Sequence, residues 1–71
     1  MSVMTENYVV QIGEAAGAVY QVLLAQGPIT AAKLVKEVGL PRDLVMQAVG
    51  WLAREDKIFV DDGRTKKIAL R

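Results

Sequence analysis

The chain has 71 residues, with 9 Lys and Arg against 8 Asp and Glu, no histidine and no cysteine. A chain this short builds one core and leaves no room for a second, and 52% hydrophobic with 24% charged residues is a folded rather than a disordered composition. A net charge of +1 excludes polyanion binding driven by bulk charge, and the missing residue types exclude a disulfide framework, a thiolate metal site and the usual general base.

Met1 to Glu6 reads as a short loose start with Thr5 as a helix N-cap. Tyr8, Ile12, Ala15, Val19, Val22 and Leu23 then recur at helical spacing, which predicts a first helix over about residues 8–26. Gly13 and Gly17 lie inside that pattern, each costing up to about 1 kcal/mol against alanine. Either the helix begins at Gly13 or the glycines admit a close neighbour. Gly27-Pro28 ends it. The apolar runs fall short of the roughly 18 consecutive residues of a membrane span; Val19 to Ala25 is already interrupted by Tyr20 and Gln21. No basic and apolar leader opens the chain, so a cytoplasmic protein with no membrane partner is expected.

Thr30 is a good N-cap for a second helix over 31–38. Ala31, Leu34, Val35 and Val38 form its inner stripe, with Lys33, Lys36 and Glu37 in water. Gly39 supplies a left-handed turn, Leu40 plugs it, and Pro41 opens a third helix over about 41–56. Leu44, Val45, Ala48, Val49 and Leu52 form the apolar arc of that helix. The period then changes to two: Ile58, Val60, Ile68 and Leu70 alternate with Phe59, Lys67, Ala69 and Arg71. Asp61-Asp62-Gly63 signals a hairpin turn between them, so a hairpin over about 58–70 closes the pattern. Ile29 is a candidate for a short third strand.

The segment from Thr30 to Val45 is a helix–turn–helix in physical terms. Ala32 is small enough for two helices to approach, Gly39 makes the turn, and Leu40 with Val45 fixes the crossing. With the hairpin as a wing, the expected architecture is mainly α with a small β-hairpin. The whole of residues 1–71 resembles a single winged helix-turn-helix domain of three helices and a two- or three-stranded wing sheet. Ala48-Val49-Gly50-Trp51-Leu52-Ala53-Arg54-Glu55-Asp56-Lys57-Ile58, with Ile12-Gly13-Glu14-Ala15-Ala16-Gly17 upstream, is similar to a family of small stand-alone prokaryotic winged-helix domains of unknown function. That resemblance implies the fold, and implies DNA binding by analogy with the wider class.

In DNA-binding members of that class the third helix enters the major groove. Stepping 100° per residue from the apolar arc puts Asp43, Met46, Gln47, Gly50, Ala53 and Arg54 outward, with Arg42 at the flank. Gln47 could pair with adenine and Arg42 with guanine or phosphate. Asp43 carries the wrong charge for that role and suits the positive helix N-terminus instead. Arg64, Lys66 and Lys67 at the wing are candidate phosphate contacts, with Lys33 and Lys36 in support, although Asp61 and Asp62 cancel part of the local field.

A second reading is a protein-interaction or homodimerisation module on the same scaffold that does not bind DNA. Its candidate interface is Gly13, Gly17, Met46, Gly50 and Trp51. Trp51, the lone tryptophan, either packs under the wing or against helix one, or anchors a partner. Gly13 and Gly17 mark either tight packing within the chain or a helix-one dimer. No hydroxyl has a histidine to activate it. Adjacent carboxylates at Asp61 and Asp62 are turn chemistry rather than a metal site. No enzyme activity, cofactor or metal is therefore expected. The expected partner is double-stranded DNA, or in the second reading another copy or another protein.

Overall fold

A computed structural model describes the backbone of residues 2–71 and the side chains of residues 7–71. The elements in chain order are α1 (Ser2–Gln26), α2 (Ala31–Val38), α3 (Arg42–Arg54), β1 (Ile58–Asp61) and β2 (Lys67–Leu70).

α1 begins at Ser2 rather than near Tyr8. No proline or glycine stands between Ser2 and Ile12 to stop the helix growing outward from its packed turns. Thr5 therefore lies inside α1, and its side chain falls outside the described residues. At 1.5 Å per residue the helix is about 37 Å long, most of the molecule's 43 Å long dimension. Ala15, Ala16, Val19 and Leu23 are its buried face. The Asn7–Gln26 stretch is long and apolar enough to cross a membrane by length and composition. Within it, Ala15, Ala16, Val19 and Leu23 are packed into the core. Gly27, at φ 76°, turns the chain out of α1, its N–H donating to the Leu23 carbonyl at 2.8 Å.

Gly13 and Gly17 are not sites of close packing. A Cβ built on either meets no atom within 4 Å, because both lie beside the buried stripe and not on it. Neither starts the helix.

Local chemistry sets both ends of α2. The Thr30 hydroxyl accepts from the Lys33 N–H at 3.2 Å, and Gly39, at φ 76°, donates to the Val35 carbonyl at 3.1 Å. Leu34 is fully buried. Two expectations for the turn fail. Leu40 is 37% exposed and not buried in the turn, and Ala32 is exposed and is not the contact that lets the helices approach. The interior at the crossing is Leu34 and Val45, larger side chains that fill the space Ala32 would have closed.

α3 buries Val45, Ala48, Val49 and Leu52. It stops at Arg54, two residues short of the expected end, in a Schellman-type cap. The Asp56 N–H donates to the Ala53 carbonyl at 3.0 Å and the Lys57 N–H to the Leu52 carbonyl at 3.0 Å. Asp56 takes the left-handed position, φ 63°, that glycine usually fills. Its carboxylate meets the Arg71 guanidinium at 2.8 Å, and Arg71 also lies 5.9 Å over the Phe59 ring.

β1 and β2 pair antiparallel, Ile58 with Leu70 through Asp61 with Lys67. The connection is the five residues 62–66, longer than a two-residue turn, and Gly63 is not in the left-handed region that such a turn needs. The Asp61 carboxylate accepts from the Gly63 N–H at 3.1 Å and shapes the loop. The expected third strand is a single bridge: Ile29 and Ile68 exchange both backbone hydrogen bonds, at 3.1 and 2.8 Å. Strict alternation breaks along the wing. Val60, close to the loop, is exposed, whereas Ala69 on the opposite face is buried.

Candidate nucleic-acid interface

The apolar arc of α3 is held against α1, so its remaining surface faces solvent. Arg42, Asp43, Gln47, Gly50, Ala53 and Arg54 are exposed and Met46 is half-buried. Two of these positions carry little or no side chain, and a Cβ on Gly50 would meet nothing within 4 Å. The outward face is therefore flat in the middle, with Arg42 and Arg54 at its two ends. Asp43 stands in the first turn, where a negative charge favours the helix N-terminus.

One flank of α3 behaves differently. Gln47 and Trp51, four residues apart, lie on the side toward α1. The Tyr8 hydroxyl donates to Gln47 Oε1. Trp51 faces a groove of 290 Å³ that it lines with Gly13, Ala16, Gly17, Tyr20 and Glu55, among others. The two helices thus run side by side in the same sense, residue 8 at residue 47 and residue 20 near residue 55. Trp51 lines this groove together with residues of α1, in line with packing against the first helix, and the residue is 38% exposed. Of the five residues proposed for protein contact, Gly13, Gly17 and Trp51 meet in this groove, whereas Met46 and Gly50 do not line it.

Arg64, Lys66 and Lys67 are all exposed on the wing. Asp62 Oδ1 stands 3.7 Å from Lys66 Nζ. Among the described residues, Arg64 and Lys67 have no carboxylate within 4 Å. Lys67 starts β2 opposite Asp61, whose Oδ1 accepts from the Gly63 N–H. Lys33 and Lys36 are exposed on α2. Among the described residues no three Asp or Glu gather to hold a metal ion.

The link from Tyr8 to Gln47 was not legible in the sequence. The only trace was Tyr8 itself, a polar-tipped aromatic at the head of an apolar stripe. Tyr20 was legible as a residue lining the Gly13 and Gly17 face and does line this groove, whereas Leu24, 56% exposed one turn further along α1, was not singled out.

A protein from Methanocaldococcus jannaschii, described as uncharacterised, is 45% identical over 53 residues, 70% of this chain and 74% of its own. A solution NMR structure of a protein from Bacteroides thetaiotaomicron matches with a TM-score of 0.75 at 31% identity, covering 84% of this chain and 74% of that one. The Zalpha domain of Carassius auratus PKZ, solved in complex with Z-DNA, also superposes with a TM-score of 0.75, covering 84% of this chain and 97% of its own. At 20% identity that likeness concerns the fold. The model of the DUF2582 winged helix-turn-helix domain family matches residues 4–71. The helix–turn–helix, the single bridge and the two-stranded wing agree with it, and this chain belongs to that family.

Proposed function

We propose that this protein is a small cytoplasmic DNA-binding module of transcription-regulator type, a binding protein rather than an enzyme. The observation that carries the reading is the solvent-facing side of α3. It is flat at Gly50 and Ala53, bordered by Arg42 and Arg54, and belongs to a fold whose wing exposes Arg64 and Lys67, neither with a carboxylate partner among the described residues. A helix face of small residues admits the floor of a major groove, and cations at its margins suit the phosphates. The Zalpha neighbour, solved with Z-DNA, supports a nucleic-acid partner at the level of the fold. Arg42 and Gln47 are assigned to the base edges, Arg54 to the groove margin, and Arg64, Lys66 and Lys67 to the backbone. With so few cations, binding is weak and falls quickly as salt rises, since each phosphate contact contributes about 0.9 to the logarithmic salt slope.

The test is an amide NMR titration with duplex DNA at low and at raised salt, on the wild type and on a variant with Arg64, Lys66 and Lys67 all changed to Ala. Salt-sensitive shifts confined to α3 and the wing, weakened in the variant, are expected. Equal binding by the variant overturns the reading.

The groove beside Trp51 favours a second reading, in which this chain docks a protein or a second copy of itself. A half-exposed tryptophan beside two bare glycines is a ready contact for another helix. Sedimentation that finds only monomer across the accessible concentration range, with Trp51 fluorescence unaltered by dilution, counts against self-association.

A further inference from the structure

Gln47 is the sole amide side chain on α3. Recognition of adenine by such a side chain uses both ends of the amide. The carbonyl accepts from the adenine amino group, and the amide nitrogen donates to N7. In this structure the carbonyl end is already engaged, because Tyr8, 39 residues away on α1, donates its hydroxyl hydrogen to Gln47 Oε1. That bond turns Oε1 toward α1, so the other arm of the same planar amide, Nε2 with its two hydrogens, is the one directed away from α1. Gly50, one turn further along α3, has no side chain to crowd it.

We propose that Tyr8 is a positioning residue that orients the Gln47 amide, holding Oε1 toward α1 and presenting Nε2 outward, and so steers α3 toward acceptor groups and away from adenine. The acceptors of matching chemistry are the N7 and O6 edge of guanine and the phosphate oxygens. The inference rests on the DNA-binding reading and adds a sequence preference to it. It also gives a task to the N-terminal turns of α1. Tyr8 is 46% exposed, so the fold's interior does not require it, yet its hydroxyl meets the outward helix.

The experiment compares Tyr8→Phe, Gln47→Ala and the double variant with the wild type. Each is titrated at low salt against an all-A·T and an all-G·C duplex of equal length in B form, with Trp51 fluorescence as the signal. Circular-dichroism melts verify that each variant is folded. The readout is the ratio of the two affinities, so sequence-dependent groove width and overall charge cancel between proteins. Tyr8→Phe releases the Gln47 amide to turn Oε1 outward and is expected to shift the ratio toward the A·T duplex by about fivefold or more, the scale of one bidentate base contact. The same change in the Gln47→Ala background is expected to leave the ratio unmoved. A wild-type preference for the G·C duplex assigns the acceptor to guanine, and no wild-type preference assigns it to phosphate. A ratio that Tyr8→Phe leaves within about twofold overturns the inference while duplex binding stands. Failure of the wild type to bind either duplex overturns the DNA-binding reading, and this inference with it.

Discussion

Changing Gly13 and Gly17 together to alanine tests the most consequential departure from the sequence reading. Both residues are in the interior of α1, and neither has a positive φ. A Cβ at either meets nothing within 4 Å. The substitution therefore has no steric cost and removes the entropy that glycine loses in a helix. Each change is worth about 0.5–1 kcal/mol, and the pair about 1–2 kcal/mol. For a domain of this size 1 kcal/mol moves the midpoint by about 4–8 °C, so thermal unfolding followed by circular dichroism should shift upward by at least about 4 °C. If α1 packed closely on another element at these glycines, the methyl groups would clash and the midpoint would fall. If two copies met through them, the midpoint would rise with protein concentration in the wild type and lose that dependence in the variant. A lower midpoint at every concentration would refute the open-groove geometry.

The other predictions test the core, a turn and the wing. Leu34→Ala removes a fully buried side chain and should cost about 2–5 kcal/mol, a large part of the roughly 4–10 kcal/mol expected for a chain of this length; urea unfolding would read it as a lower midpoint. Gly39→Ala places a Cβ at φ 76° and should lose about 1 kcal/mol, whereas Gly50→Ala in the helical interior of α3 should gain a similar amount, and equal effects at the two sites would contradict the backbone assignment. Asp62→Asn removes the carboxylate 3.7 Å from Lys66. Duplex affinity should rise at low salt, with the gain fading as the screening length shortens to about 8 Å near physiological ionic strength. Unchanged affinity at low salt would mean that the wing does not approach the phosphates.

Local chemistry made much of the fold readable in the sequence. Thr30 and Gly39 bound α2 because a hydroxyl and a left-handed glycine act within four residues of themselves. The arc of Leu44, Val45, Ala48, Val49 and Leu52 marked the inner face of α3, and the change of period after Lys57 marked the hairpin. Ala32 and Leu40 were assigned contacts because apolar or small residues near a turn often have them, but exposure depends on what a neighbouring element leaves uncovered. The candidate interface was legible as a set of residues and illegible as an arrangement. The helical wheel counted Gln47 as outward without showing that Tyr8 holds its carbonyl, and the turn signal took in Asp62 without pairing it to Lys66.

The sequence alone determined the order of elements, the apolar faces and the absence of histidine and thiol chemistry, since these follow from residue type and spacing. Tertiary structure alone decided that Gly13 and Gly17 border an open groove, that Trp51 is both packed and exposed, and that Gln47 meets α1. Each of these depends on how α1 lies along α3. That placement is set by the joint packing of Ala15, Val19 and Leu23 with Val45, Ala48 and Leu52, a property of two surfaces that the spacing within either helix does not encode.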